Sequence, residues 1–349
     1  MKLAIIFGGK STEHNVSIVS ATSIISNLNK DKYKIFPIYI SKNGNFYLYT
    51  KPINKITTLS INDTITELEP IDNITNYLKQ IDIIFPVLHG LYGEDGTIQG
   101  LFELLGKKYV GCKVLSSSLC MDKVYTKILF ERANIPTTKD MYIKKINNNY
   151  IYIDKNFNQT ILSNDKLTKK VSEYLKLPVF IKPSNSGSSV GVNKATTKEE
   201  IIKYLEEAFK YDDKVLIEEA IIGKEVECAI LGNDELTTST VGEIKSAEDF
   251  YTFDSKYNNK ESITLIPANI DNKTIEKIQE LAKKAYLACD CKGLSRIDFF
   301  IEEKTNRIII NEINTLPGFT NISMYPKLMN HTNISYPDLL DKLIELANH

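Results

Sequence analysis

The chain has 349 residues, more than one hydrophobic core usually serves, so two or three domains are expected. Its 43 basic and 44 acidic residues leave a net charge of −1, which removes the basic field a nucleic-acid partner would need. No apolar run reaches the ~18 residues of a membrane span. The apolar stretch Leu3–Phe7 runs into glycines too early for a signal peptide, so no membrane partner and a cytoplasmic location are expected.

The first hundred residues alternate strand and helix. LAIIFG reads as a strand, residues 15–28 carry apolar residues at helical spacing, and KIFPIYI and IDIIFPVLHG read as strands. TIQGLFELLG reads as a short helix and KKYVGC as a further strand. This alternation predicts a parallel sheet with helices on its faces. Ligands of such sheets gather where strands run out into loops, here GGKSTEHN and HGLYGEDGTIQG. Residues 118–135 read as one helix stopped by Pro136. Residues 143–170, rich in Asn and Lys, read as a solvated excursion with one marginal strand, YIYI. LPVFIKP, KVLIEEAI and VECAILG then read as strands, KEEIIKYLEEAFKY and DNKTIEKIQELAKKAYLACD as helices, and PDLLDKLIELAN as the final helix. Residues 245–262 form a polar, aromatic-studded loop. Cys112, Cys120, Cys228, Cys289 and Cys291 contain no C-x-x-C pair and read as buried reduced thiols.

Two stretches carry chemistry. AIIFGGKS comes close to a Walker loop, but Ala4 stands where the first glycine belongs and Ile5, Ile6 and Phe7 are strand formers, so it reads as a strand and turn. KPSNSGSSVGV is different. Lys182 ends an apolar strand, and the glycines and serines after it let backbone N–H groups approach an anion. A second strand follows, which predicts a hairpin flap able to close over phosphates. RIDFFIEEKTNRIIINEIN reads as a hairpin. A three-residue loop at Lys304–Asn306 would set Asp298 opposite Glu312 and Arg296 opposite Asn314. Facing carboxylates repel, and a divalent cation or an ion pair to Arg296 would resolve that repulsion. Oxygen ligands alone fit Mg²⁺.

In order along the chain, GGKSTEHNVS, HGLYGEDGTIQG, CMDK, KPSNSGSSVG, EEAIIGKEVE, SKY, SRIDFF and NEINTLPGFTNISMYP resemble the D-alanine–D-alanine ligases of the ATP-grasp superfamily. The likeness covers nearly the whole chain. It implies an α/β fold, α+β overall, with a parallel-sheet domain over 1–118, a central ATP-grasp subdomain with the flap over 119–222, and a C-terminal subdomain over 223–349. It also implies ATP-dependent joining of two D-alanines through an acyl phosphate, for peptidoglycan synthesis, by a homodimer. Two Mg²⁺ ions are implied, with Mn²⁺ as a substitute and K⁺ as an open question.

The resemblance assigns roles residue by residue. Lys123 and Lys182 match phosphate lysines, with Ser189 in the flap beside them. Glu218, Glu219, Ala220 and Ile221 match the adenine hinge, and Glu225 the ribose carboxylate. Asp298, Glu312 and Asn314 match the metal ligands. Arg296 and the Gly318 N–H match groups that stabilise the tetrahedral oxyanion. Glu13 matches the carboxylate that receives the first substrate's ammonium, with Ser188 and Tyr257 as its partners and the loop 245–262 as a lid. His89 matches a residue near that substrate's carboxylate. Ser323 and Met324 match the second subsite. Asn185 and Ser186 depart from the charged residues common in relatives. Members of this family also join D-alanine to D-serine or D-lactate. Met324, standing where many resistance ligases carry arginine, favours D-alanine and disfavours D-lactate, leaving D-serine as the alternative. A catalytically silent ATP-binding relative is the other alternative, and the completeness of the residue set argues against it.

Overall fold

A computed structural model describes residues 1–52, 67–245 and 263–348. Three sheets organise the chain. The first has six strands in the order Leu68–Pro70, Phe46–Tyr49, Lys34–Ile40, Lys2–Gly8, Ile83–Val87 and Lys108–Tyr109. Lys2–Gly8 is central and pairs in parallel with both neighbours, while Phe46–Tyr49 and Leu68–Pro70 extend the edge antiparallel. Leu3 to Phe7 are fully buried, as an apolar strand covered on both faces must be. Helix His14–Asn27 and the last helix, Tyr336–Asn348, share one face of this sheet. Leu339, Leu340, Leu343 and Ile344 join its core, so the end of the chain returns to its beginning.

The second sheet is antiparallel, in the order Asn193–Ala195, Val179–Pro183, Lys214–Glu219, Asp140–Ile146, Asn149–Ile153 and Gln159–Leu162. Helices Asn164–Tyr174 and Lys198–Ala208 cover it with Leu167, Val171, Ile201 and Leu205. The third sheet runs Ile263–Leu265, Thr237–Lys245, Gly223–Leu231, Leu294–Glu302 and Ile308–Asn314, also antiparallel, against helix Asn272–Ala288.

Three expectations change. Residues 118–135 are not one helix. Val114–Met121 ends at Asp122, whose ψ of 101° breaks the helical path, and Lys123–Arg132 starts anew. Asp122 caps the second helix by accepting from the N–H groups of Val124 and Tyr125, so an acid that reads as part of a polar face is an N-cap. Residues 143–170 are not a solvated excursion either. Three strands and a helix occupy that region, and Tyr150, Ile151 and Ile153 are buried. Asn147 and Asn148 at φ +48° and +62° form the two-residue turn of the hairpin, a conformation that asparagine tolerates.

The C-terminal hairpin keeps its expected pairing by another route. Glu302 N–H donates to Arg307 O, so the loop holds four residues, 303–306, rather than three. That alone would misplace the carboxylates by one position. A bulge restores the register: Phe299 pairs with Ile310, Asn311 is the extra residue, and Asp298 faces Glu312. The reason is packing. Without the bulge the four-residue loop would set Asn311 against Asp298 and Glu312 against Ile297, which is fully buried. The bulge gives that place to Ile313 and turns Asn311 to the cavity.

Candidate active site

One cavity of 640 Å³ draws lining residues from all three sheets. From the first come the loops after Gly8 and Val87. Glu13 begins helix His14–Asn27 and is buried, and its carboxylate lies against Gly90 and Gly187: a Cβ built on either glycine would come within 2.7 and 3.3 Å of Oε2. Two glycines therefore let an acid, a loop and the flap tip meet. His89 is buried, with Nε2 3.1 Å from Ser20 Oγ and Nδ1 3.2 Å from Leu316 O and 3.6 Å from Glu94. Burial lowers its pKa, but Glu94 and Glu13 outweigh burial and hold it above the ordinary histidine value.

The second sheet supplies the flap, which is a hairpin: Val179–Pro183 pairs with Asn193–Ala195 around the tip 184–192. Ser188 and Ser189 at φ +52° and +60° and Gly191 at +73° bend the tip, and both serines line the cavity. Asn185 binds Asp212 through its N–H at 2.7 Å and Nδ2 at 3.0 Å, and Ser186 O accepts from Lys123 Nζ at 2.6 Å. Lys123 thus opens its helix beside the flap, and Lys182 reaches the same space. Glu218 accepts from Lys127 at 2.5 Å and pairs with Lys182 at 2.6 Å. Burial opposes ionisation of Glu218, but the two lysines dominate and hold it far below the usual carboxylate range. Burial lowers the Lys123 pKa, whereas Glu218 and Glu312 more than offset burial at Lys182 and raise it. Lys127 was invisible to motif reading, because a helix lysine four residues beyond Lys123 reads as solvated.

The hinge residues divide. Glu219 and Ile221 line the cavity, as does Glu225, while Ala220 stands outside the lining and donates its N–H to Pro178 O at 3.3 Å.

The third sheet carries the acids. Arg296 donates to both oxygens of Asp298 at 2.8 and 2.7 Å, and Glu227 Oε2 lies 3.1 Å from its Nε. Burial works against the guanidinium charge, but Asp298 and Glu227 outweigh it and push the Arg296 pKa well up. Asp298 lies beneath the lining and also accepts from Asn314 Nδ2 at 3.1 Å. Glu312 and Asn314 line the cavity beside Asn311. Among the described residues no group of three acids, histidines or cysteines is already arranged around a metal position. Glu227, directly opposite Asp298 on the neighbouring strand, and Asn311 escaped the sequence reading. The run GKEVECAILG does place Glu225 and Glu227 on one face, which is the signal that would have found Glu227.

Gly318, Ser323 and Met324 complete the lining. A Cβ on Gly318 would stand 2.9 Å from Ser323 Oγ, so only glycine admits the serine this closely. Ser323 is the N-cap of helix Met324–His331. Tyr257 and the loop 246–262 lie outside the described residues.

Comparison with known proteins follows the same lines. Family models for the D-ala D-ala ligase N-terminus and C-terminus match residues 2–112 and 146–345. The D-alanine–D-alanine ligase of Acetivibrio thermocellus is 47% identical over 99% of this chain and 95% of its own. D-alanine–D-alanine ligase B of Clostridium tetani is 50% identical over 99% and 93%. Among solved structures, the VanG D-Ala:D-Ser ligase of Enterococcus faecalis matches with a TM-score of 0.85 and 40% identity over 99% of both chains. The Bacillus anthracis D-alanine–D-alanine ligase complexed with ATP matches at 0.75 and 29% over 99% and 97%. Two matching family models and full-length relatives near half identity make this chain a member of the D-alanine–D-alanine ligase family, with the ATP-grasp fold.

Proposed function

We propose that the chain joins two D-alanines at the expense of ATP, through a D-alanyl phosphate, giving D-alanyl-D-alanine, ADP and phosphate for peptidoglycan synthesis. The observation that carries this reading is the opposed charge of one cavity, with Lys123 and Lys182 on one side and Glu312, Asn314 and the Arg296–Asp298 pair on the other. Point-charge lysines suit the phosphates of ATP, and the flap tip excludes water above them. Glu219, Ile221 and Glu225 lie where the adenosine would sit. Glu13 takes the first substrate's ammonium, and His89, held above the ordinary histidine pKa by Glu94 and Glu13, favours its carboxylate. Ser323, at a helix N-terminus, suits the carboxylate of the second substrate. Its amine then attacks the acyl phosphate while Arg296 and the Gly318 N–H steady the oxyanion.

The donor set fits Mg²⁺. Glu312, Asn314 and Asp298 offer only hard oxygens, and the acid-rich side needs a cation before polyphosphate can approach it. Bound there, Mg²⁺ would offset phosphate charge during transfer. Location in the cytoplasm and a homodimer belong to the same reading, and sedimentation of the purified chain tests the latter.

ATP-dependent phosphate release with D-alanine alone, products identified by mass, is the test. D-alanyl-D-alanine is expected, and turnover should stop when Mg²⁺ is chelated. Phosphate release without dipeptide would overturn the reaction, and activity in excess chelator would overturn the metal assignment. D-serine as second substrate is the other reading, favoured by the likeness to the D-Ala:D-Ser ligase and by the poor rejection of one added hydroxyl. A mixed dipeptide dominating at equal concentrations would establish it.

A further inference from the structure

Four of the five cysteines meet in one place, although no spacing pairs them. Cys112 and Cys120 lie on the segment that leads into Lys123, and Cys289 and Cys291 on the turn that leads into Arg296. Asp290 adopts φ +51° and is exposed, so the cysteines on either side of it both turn inward and are buried. The two segments touch backbone to backbone: a Cβ on Gly293 would stand 3.2 Å from Gly111 N. The Cys112 thiol donates to Lys292 O at 3.4 Å and to Leu294 O at 3.5 Å. Cys291 interacts with Cys112 and Cys120, and Cys120 also with Cys289. Cys228 lies apart, against Ser239. Of the five cysteines, Cys120 is the one that lines the cavity.

We propose that this cluster is a thiol modification site, reached through the nucleotide cavity, where a small disulfide couples to Cys120 and Cys291 then displaces it to leave a Cys120–Cys291 disulfide. The proposal rests on the nucleotide reading of the cavity. Burial pushes the Cys120 thiol up, while hydrogen bonds with Cys112 and Cys120 hold Cys291 low, so Cys291 gives up its proton before Cys120 does. Once Cys291 has lost its proton to solvent, a proton passed from Cys120 to Cys291 exposes a thiolate at the cavity. That thiolate attacks one sulfur of the disulfide and expels a thiolate, which takes the proton back from Cys291. Cys291 attacks the Cys120 sulfur and expels the second small thiolate, which is protonated from solvent. Two protein thiols are oxidised and one small disulfide is reduced to two thiols. The new bond would tie the segment before Lys123 to the segment before Arg296, on the two sides of the reaction.

The test treats the reduced full-length enzyme with dithiodipyridine and follows released thiopyridone, with peptide mapping by mass. A rapid phase releasing two thiopyridones per chain and yielding a Cys120–Cys291 peptide pair is expected. ATP at a hundred times its Kd should slow that phase about a hundredfold. Cys291→Ser should slow the first release, since Cys120 loses its proton acceptor, and should stop at a mixed disulfide on Cys120, with Cys291→Ala as its replacement if the serine variant does not fold. Cys228→Ser should keep the rapid phase. A rapid phase that survives Cys120→Ser, or five thiols reacting together only at the rate of unfolding, would overturn the proposal. A Cys120–Cys291 disulfide that forms equally fast under saturating ATP would instead overturn the nucleotide reading and leave the thiol site standing.

Discussion

The two sides of the cavity bury charge in inverse ways. On the flap side one carboxylate, Glu218, is shared by two lysines, Lys127 and Lys182; Lys127 also reaches Asp140 at 3.5 Å, and Lys123 adds a further positive charge. On the opposite side one guanidinium, Arg296, is shared by two carboxylates, Asp298 and Glu227, with Glu312 beyond them. Each cluster leaves a surplus of one sign, and the signs oppose across the gap. A buried ion cluster is costly unless its remaining charge finds a partner. The difference teaches where the ligands belong: phosphate oxygens toward the lysines, and a cation between phosphate and acids.

Substitutions break the two clusters unequally. Arg296→Ala removes the guanidinium that the acids share, and kcat should fall by about 10²–10³-fold, as for loss of an oxyanion donor. The same change should cost about 3–5 kcal/mol of stability, since buried Asp298 and Glu227 lose the guanidinium that offsets their charge. Stopped assays and denaturant melts measure the two effects, and an unchanged kcat would remove Arg296 from the reaction. Lys182→Ala acts on the other side. Glu218 keeps Lys127, so the fold should survive, while ATP binding weakens by about 1.5–3 kcal/mol, read as a rise in its KM.

Glu218→Gln sharpens the comparison through pH. The lysines depress the carboxylate's pKa in the folded protein. Its stabilising contribution is therefore present above the unfolded value, about 4.3, and is lost as pH falls through the folded one. The variant should melt below the wild type at neutral pH, and the gap should close as pH drops beneath about 4. A gap constant with pH would mean that Glu218 packs there without its charge. The smallest effect belongs to the hairpin tip. Asn306 holds φ +54°, so Asn306→Ala should cost about 1 kcal/mol with kcat unchanged.

What was legible followed patterns that one strand or helix contains. Period-two alternation placed Arg296 with Asp298 and Glu312 with Asn314, and glycine and serine content placed the flap. What was hidden depended on packing between segments. Asp122 reads as a helix interior residue until Ser184 Oγ and Lys214 are found on its carboxylate, holding it as a cap. Lys127 reads as solvated until Glu218 comes across from another element. The Asn147–Asn148 turn was readable in principle, but an Asn-rich composition disguised it.

The bulge at Asn311 has a consequence for how this chain can change over generations. It takes up one residue of mismatch between the loop and the acids, so the length of the tip and the alignment of the reacting groups are inherited separately. Deleting Asn311 would straighten the strand and still leave Glu312 across from Asp298. A lineage could therefore shed or gain that residue, and with it an amide in the cavity, without passing through an inactive ancestor.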